Sequence, residues 1–377
     1  MKTDNTAPKG LEDVIIGSST LTLIDGHAGT LSYRGYDISD LAENATFEET
    51  SYLLLYGDLP NVQELRELRQ NLSDEREIPT QLVELLRGFP NDASPMDILR
   101  TSISALSIYD PDLHDYSPEA MLRRAIRILS KTTTMIAAYE RIRNGTDVIP
   151  PRADLDHASN FLYMMRGDAP EPAVARIFDK CLILHADHEL NASTFAARVT
   201  ASTLSDVYSA VTSAIGALKG PLHGGANEAV MEMLEEIKVP EKVEAYLKKA
   251  FSEKKRVMGF GHRVYKTIDP RATILRALSK ELATKNGGKE WFRISYKLEE
   301  IMRTEKKLSP NVDFYAASVY HMLGIPTYLF TPIFAASRVT GWTAHIMEQY
   351  TDNRLIRPRA DYVGHHPRKY IPLAQRK

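Results

Sequence analysis

Beyond Asp37 almost no stretch alternates apolar and polar residues, whereas helical spacing with start and stop signals recurs along most of the chain. A 3.6-residue apolar period sustained through successive segments leaves little room for a sheet-based fold. Thr46 before Phe47-Glu48-Glu49 has the pattern of a capped helix start, and Gly57 with Pro60 stops that helix. Thr101 to Tyr109, Pro118 to Asn144 and Asp168 to Leu184 read as further helices, the last with Val174, Ile177, Phe178 and Cys181 on one face. Leu190 to Val199, Asp206 to Leu218, Ala226 to Ile237 and the charged run Pro240 to Lys255 continue the pattern. Ser309 and Pro310 read as the cap and first position of another helix, with Val312, Ala316 and Val319 on a stripe. The β-branched runs Val14-Ile15-Ile16, Thr20 to Ile24 and Thr30 to Tyr33, broken by Asp25-Gly26 and Gly29, predict a small hairpin. The expected fold is all-α, with that hairpin at its N-terminal end.

The chain has 377 residues, enough for two domains or one large one. Glycine and proline punctuate it at Gly220-Pro221 and at Gly324-Ile325-Pro326. These points divide it into residues 1–218, 219–325 and 326–377, the middle block being an inserted smaller domain between two parts of a larger one. A net charge of −2 provides no overall field to draw nucleic acid or an acidic membrane. The basic residues Arg354, Arg357, Arg359, Arg368 and Lys369 read as a solvated tail unless one arginine turns inward. The single cysteine, Cys181, sits among apolar neighbours, excludes an intrachain disulfide and fits a reducing compartment. Met1 to Gly10 is polar, with neither a signal core nor an Arg-rich presequence, and no run approaches the roughly 18–20 apolar residues of a membrane span. A cytoplasmic location is expected.

Gly259-Phe260-Gly261-His262-Arg263-Val264-Tyr265-Lys266, followed by Asp269-Pro270-Arg271, concentrates unusual chemistry in a dozen positions. Its glycines let backbone approach a ligand, His262 exchanges a proton near neutral pH, and Arg271 offers a two-pronged clamp for a carboxylate. His185 and His188 lie about one helical turn apart. That pair admits three readings: a metal site completed by Asp187 or Glu189, a buried histidine satisfied by carboxylates, or a donor to a substrate carbonyl. The spacing is not that of a zinc helix and no cysteine is near, so no metal is expected. His223, within Gly220-Pro221-Leu222-His223-Gly224-Gly225, stands just before a helix whose dipole holds an imidazole neutral. A plain turn accounts for Gly220 but not for all three glycines. Asp313 reads as a first-turn acid or as a base. The helix dipole lowers its pKa, so it acts as a base only if desolvation wins.

Together these motifs resemble the citrate synthase family. The resemblance begins with Asp25-Gly26, Tyr33-Arg34-Gly35-Tyr36, Phe47-Glu48-Glu49 and Leu53 to Gly57. It continues through His185 to Asn191, Gly220 to Glu228, Gly259 to Arg271, Pro310 to Asp313 and Arg357-Pro358, in the family's order. The length is similar to that of the short prokaryotic form, without the N-terminal extensions of organellar and NADH-regulated forms. The resemblance implies a dimeric all-α enzyme whose large and small domains close over oxaloacetate and acetyl-CoA, the latter as co-substrate, with no tightly bound cofactor. It implies Asp313 as the base, neutral His223 as donor to the enol oxygen, and His262 as the group that polarises the oxaloacetate carbonyl. His188, Arg271, Arg338 and Arg357 are implied as oxaloacetate ligands, Arg357 reaching the neighbouring subunit's site. Val257, Met258, Gly259, Phe260 and Gly261, with Lys266 and Asn311, are implied as coenzyme contacts. Lys266 stands where some relatives place an arginine, keeping the charge but losing the fork. His185 to Phe195 and Gly341 to His345 are also similar to 2-methylcitrate synthases, which take propionyl-CoA. Outside enzymology, a carboxylate sensor could use the same histidines and arginines without a base.

Overall fold

Helix is the only element that fits the 3.6-residue pattern, and sixteen α-helices form among the described residues of the computed structural model. These are residues 9–11, 14–285, 288–365 and 367–376, so most of the polar stretch Met1 to Gly10 lies outside them. Strand β1 (Thr22–Asp25) pairs antiparallel with β2 (Thr30–Tyr33), which pairs with the short β3 (Tyr36–Asp37). Val14 to Ile16, expected to join this sheet, forms no strand: Tyr36-Asp37 takes the place beside β2, and Ile15 is left 92% exposed.

The helices are α1 (Ile38–Asn44), α2 (Phe47–Tyr56), α3 (Val62–Asp74), α4 (Thr80–Arg87), α5 (Pro95–Leu106), α6 (Pro118–Arg143), α7 (His157–Arg166) and α8 (Pro172–His185). They continue with α9 (Ala192–Ala201), α10 (Val207–Leu218), α11 (Ala226–Ile237), α12 (Val243–Ser252), α13 (Pro270–Lys285), α14 (Lys289–Ile301), α15 (Val312–Met322) and α16 (Phe330–Thr351). Local chemistry explains many ends. Thr46 and Glu49 form a reciprocal capping box on α2, and Gly57 ends it in the left-handed region at φ 106°. Ser117 caps α6 with Pro118 at its first position, and Asn191 caps α9. The α5 start lies at Pro95, not at Thr101, because proline suits a first turn where no backbone N–H is needed.

Two helices, α6 and α16, are buried along most of their length and pack on each other. Burial on every face marks a helix at the centre of a core. Helix α16 also packs on α2, α5, α8, α9, α10 and α11. The end of α8 meets it through hydrogen bonds rather than apolar contact alone. Ser337 Oγ donates to the Leu182 carbonyl, Arg338 Nε to that of His185 (2.6 Å), and the Gly341 amide to that of Ala186 (3.1 Å). The carbonyls that a helix C-terminus leaves unpaired are thus met by one side of another helix. Only glycine permits this at 341, since a Cβ there would lie 2.4 Å from Asp187 Oδ1 and 2.5 Å from the Ala186 oxygen.

Helices α11 to α15 pack largely among themselves, with α13 also meeting α1 and α8, and α11 meeting α16. Gly341→Ala is therefore expected to cost about 1–3 kcal/mol of unfolding free energy, the usual penalty of overpacking. Denaturant unfolding measures it, and unchanged stability would show that α8 and α16 are not held this closely.

Candidate active site

The loop Gly259 to Gly261, with both glycines at φ 80°, is stitched to the segment Ser309 to Asn311. The Gly261 amide donates to the Ser309 carbonyl, and the Asn311 amide to that of Gly259, both at 2.9 Å, with Phe260 and Pro310 forming an antiparallel bridge. Asn311 Nδ2 donates to the Gly261 carbonyl at 3.1 Å, while its Oδ1 caps α15 through the Asp313 amide. The cap of α15 is therefore Asn311. Ser309 and Pro310, expected in those first positions, are held extended by the bridge. Gly259, at φ 80°, has no room for a Cβ, which would lie 2.8 Å from Phe314 and Val230 side chains. This stitch ties the His262 segment to the start of α15, with His262 and Asp313, 51 residues apart by their numbers, leaving the short antiparallel ladder from opposite ends.

From His262 the chain runs along the N-terminal hairpin. The Lys266 amide donates to the Gly26 carbonyl at 2.8 Å, and a Cβ on Gly26 would lie 2.3 Å from the Val264 oxygen. His262 Nδ1 accepts from the amides of Val264 (3.0 Å) and Tyr265 (3.2 Å). Two backbone donors at Nδ1 require its lone pair, so the ring proton sits on Nε2. The His262 ring lies 5.3 Å from that of His188 and 4.7 Å from that of Tyr265, whose hydroxyl is 3.3 Å from His188 Nε2. His188 follows the end of α8, buried, so the hydrogen bonds to α16 also fix where it stands.

His223 lies on the turn before α11. The Ser193 amide donates to its Nε2 at 3.3 Å, and Ser193 Oγ lies 2.9 Å from the same nitrogen. With a backbone donor at Nε2, the proton resides on Nδ1. The three histidines are kept uncharged. His223 and His262 are each lowered to about 4, by burial first and then by Arg338 and Arg271 respectively. His188 falls well below its usual value through burial, then through Arg271. Burial, not the helix dipole anticipated for His223, is the main cause.

Both site arginines are buried. Arg271 makes a two-pronged pair with Asp269 (3.0 and 2.8 Å); burial works against its charge, but that carboxylate holds it firmly ionised. Arg338 donates through Nε to the His185 carbonyl and lies over the Phe334 ring, and burial lowers it to about 10 against the pull of Asp187. Asp313 Oδ1 is buried without a hydrogen-bond partner. Burial raises its carboxyl to about 7, with Arg271 and Arg338 near enough to oppose the rise. Of the two opposed influences at this helix start, desolvation is the larger.

His185 stands apart. Its Nδ1 donates to the Cys181 carbonyl of its own helix at 2.8 Å and its ring packs on Phe334. It does not converge with His188 on a common ligand. Arg357 is exposed on the segment beyond α16 and takes part in none of the side-chain hydrogen bonds or ion pairs among the described residues. Lys266 is exposed as well. Sequence reasoning did not single out Ser193, Tyr265 or Asp269 for roles. Asp269, two positions before Arg271, was the one with a signal close at hand.

Buried arginines, neutral histidines and one carboxyl raised to about 7 make an arrangement chemically able to hold a small polyanion and to exchange a proton beside it. Comparison with known proteins agrees. The family described as citrate synthase, C-terminal domain, matches residues 10–359. Citrate synthase 2 of Bacillus subtilis is 52% identical over 98% of this chain and its own whole length. The 2-methylcitrate synthase of Shewanella oneidensis is 46% identical over 97% of each chain. A solved structure of Thermoplasma acidophilum citrate synthase in ternary complex with carboxymethyl coenzyme A and oxaloacetate superposes with a TM-score of 0.93, at 38% identity, over 98% of this chain and 99% of that one.

The raised carboxyl has a pH signature. Between 3.8 and about 7 Asp313 is protonated in the folded chain but ionised in the unfolded one. Its contribution to stability is full below that window and is lost as pH rises through it. Asp313→Asn, which never ionises, should therefore gain in melting temperature over the unaltered protein as pH rises from 4 to 7, and then hold steady. A difference independent of pH would contradict the burial of this carboxyl.

Proposed function

The chain belongs to the citrate synthase family, and from that premise we propose how its residues divide the condensation of acetyl-CoA with oxaloacetate. The enzyme is an acyltransferase of the citrate synthase type. The observation that carries the division of labour is Asp313: a carboxyl raised to about 7, its Oδ1 unpartnered, within the field of two buried arginines. A base poised near neutral pH suits removal of a proton from the methyl group of a thioester.

Oxaloacetate is held by Arg271 and Arg338 at its carboxylates and by His188. His262 directs Nε2–H at its carbonyl, drawing electrons from the carbon to be attacked. Acetyl-CoA lies with its acetyl group between Asp313 and His223. Asp313 takes a methyl proton while His223, through Nδ1–H, donates to the thioester oxygen as negative charge gathers there. The new carbon–carbon bond forms to the oxaloacetate carbonyl carbon. His262 passes its proton to the resulting alkoxide, a loss made easier by the charge of Arg271. Water then cleaves the citryl thioester and releases CoA. Val257, Met258, Gly259, Phe260 and Gly261 offer their backbone to the coenzyme, with Asn311 and Lys266 beside them. Residues 219–325 form the smaller, closing domain, a division supported by the mutual packing of α11 to α15. The working form is a dimer in which Arg357 completes the neighbouring subunit's site, a role its exposed position permits. The cytoplasm is the proposed location; no helix among the described residues is long and apolar enough to cross a membrane.

Thiol release from acetyl-CoA, dependent on oxaloacetate, tests the reaction, and propionyl-CoA measured alongside tests the acyl preference. Asp313→Asn should lower turnover by about 10²–10⁴-fold, the usual contribution of a positioned base, with oxaloacetate affinity near normal. Lost oxaloacetate affinity with intact turnover of the bound substrate would remove Asp313 from its role.

Mixing Arg357→Ala and Asp313→Asn variants under subunit exchange tests the dimeric site. About half the dimers are then mixed, each with one of two sites intact, so activity should recover to about a quarter of the unaltered enzyme's. No recovery, with exchange verified, would place Arg357 at its own chain's site.

A further inference from the structure

One side of α16 carries Arg338, Gly341, Trp342 and His345 at helical spacing. Arg338 and Gly341 are accounted for by the substrate site and the contact with α8. Trp342 is not. It is fully buried, and its indole Nε1 donates to Ser193 Oγ at 3.1 Å. Ser193 Oγ lies 2.9 Å from His223 Nε2 and 2.7 Å from Asn191 Oδ1. Asn191 Oδ1 accepts from the amides of Ser193 (3.2 Å) and Thr194 (3.1 Å) as the cap of α9, so it is an acceptor toward the hydroxyl as well. The indole N–H can only donate and therefore takes one lone pair of Ser193 Oγ.

We propose that Trp342 is a positioning residue for the reaction, acting on His223 through Ser193. This deepens the proposed function and rests on His223 being the donor to the enolate. As charge grows on the enolate oxygen, His223 Nδ1–H is drawn toward it and Nε2 becomes more basic. The Ser193 hydroxyl, shared until then between Asn191 and His223, turns its proton toward Nε2. The Trp342 N–H on the remaining side of Oγ makes that hydroxyl a better donor, because hydrogen bonds in a chain strengthen one another. The chain Trp342 to Ser193 to His223 thus disperses charge away from the reacting oxygen into a buried helix. No proton leaves the chain.

The test compares Trp342→Phe, which removes the N–H and keeps a ring, with benzothienylalanine at 342, which keeps the indole shape and replaces N–H by sulfur. Each should lower kcat by about three- to tenfold, the worth of one hydrogen bond, and leave the oxaloacetate KM unchanged. In a Ser193→Ala background the same changes should cost nothing further. Unchanged kcat in the benzothienylalanine enzyme, or a loss that persists undiminished without the Ser193 hydroxyl, would overturn the proposal. His223→Ala, measured in parallel, examines the premise separately: retained turnover there removes the enolate role and the inference with it. Loss there, with no effect at 342, removes the inference alone.

Discussion

The closed end of α8 against α16 is the contact on which the site depends. Three carbonyls, those of Leu182, His185 and Ala186, have donors waiting for them in Ser337, Arg338 and Gly341. Leaving such groups unpaired in a buried place is costly, so the junction forms closely or the core opens to water. Its consequence for function is direct. Arg338 is held by its Nε, which leaves the rest of the guanidinium free of that bond, and His188 follows three residues after the carbonyl that Arg338 holds.

Charge then follows from burial. The two guanidinium groups of the candidate site are buried, one matched by Asp269 and the other facing Asp187 only at longer range. Burial, with their field added, keeps His188, His223 and His262 neutral, the state in which the proposed function uses them. Asp313 is the exception that the same environment produces. Burial pushes it toward neutrality more than the arginines pull it back, and raises its carboxyl to about 7. Under the proposed function, a dicarboxylate brings negative charge to Arg338, which no carboxylate in the chain pairs directly among the described residues.

Much of this was legible in the sequence where the signal was local. The Thr46 cap, the Gly57 stop and the long α6 follow from spacing and end residues. The motif glycines 259 and 261, read as permitting close backbone approach, both take left-handed backbone at φ 80°, and at 259 the crowding comes from Phe314 and Val230. Long-range pairing was not legible. Val14 to Ile16 has the composition of a strand but no partner, while the two residues Tyr36-Asp37 have one. Pro310 suits a helix start until Phe260 claims it for a bridge. His223 owes its neutrality to burial, which periodicity does not weigh. Ser193 and Trp342 stand 149 positions apart, and neither carries a mark of the other. Arg357 stands among basic neighbours with no local mark to set it apart from Arg354 and Arg359.

The most direct test of this account is a crystal structure of the protein with oxaloacetate and carboxymethyl coenzyme A, whose carboxymethyl group stands in for the enol of acetyl-CoA. The account predicts oxaloacetate carboxylates on Arg271 and Arg338, with its carbonyl oxygen at His262 Nε2. The carboxymethyl group should lie between Asp313 and His223 Nδ1, with Ser193 still at His223 Nε2. An analogue bound with its reacting end away from Asp313 and His223, or His223 turned so that Nε2 faces it, would contradict the account.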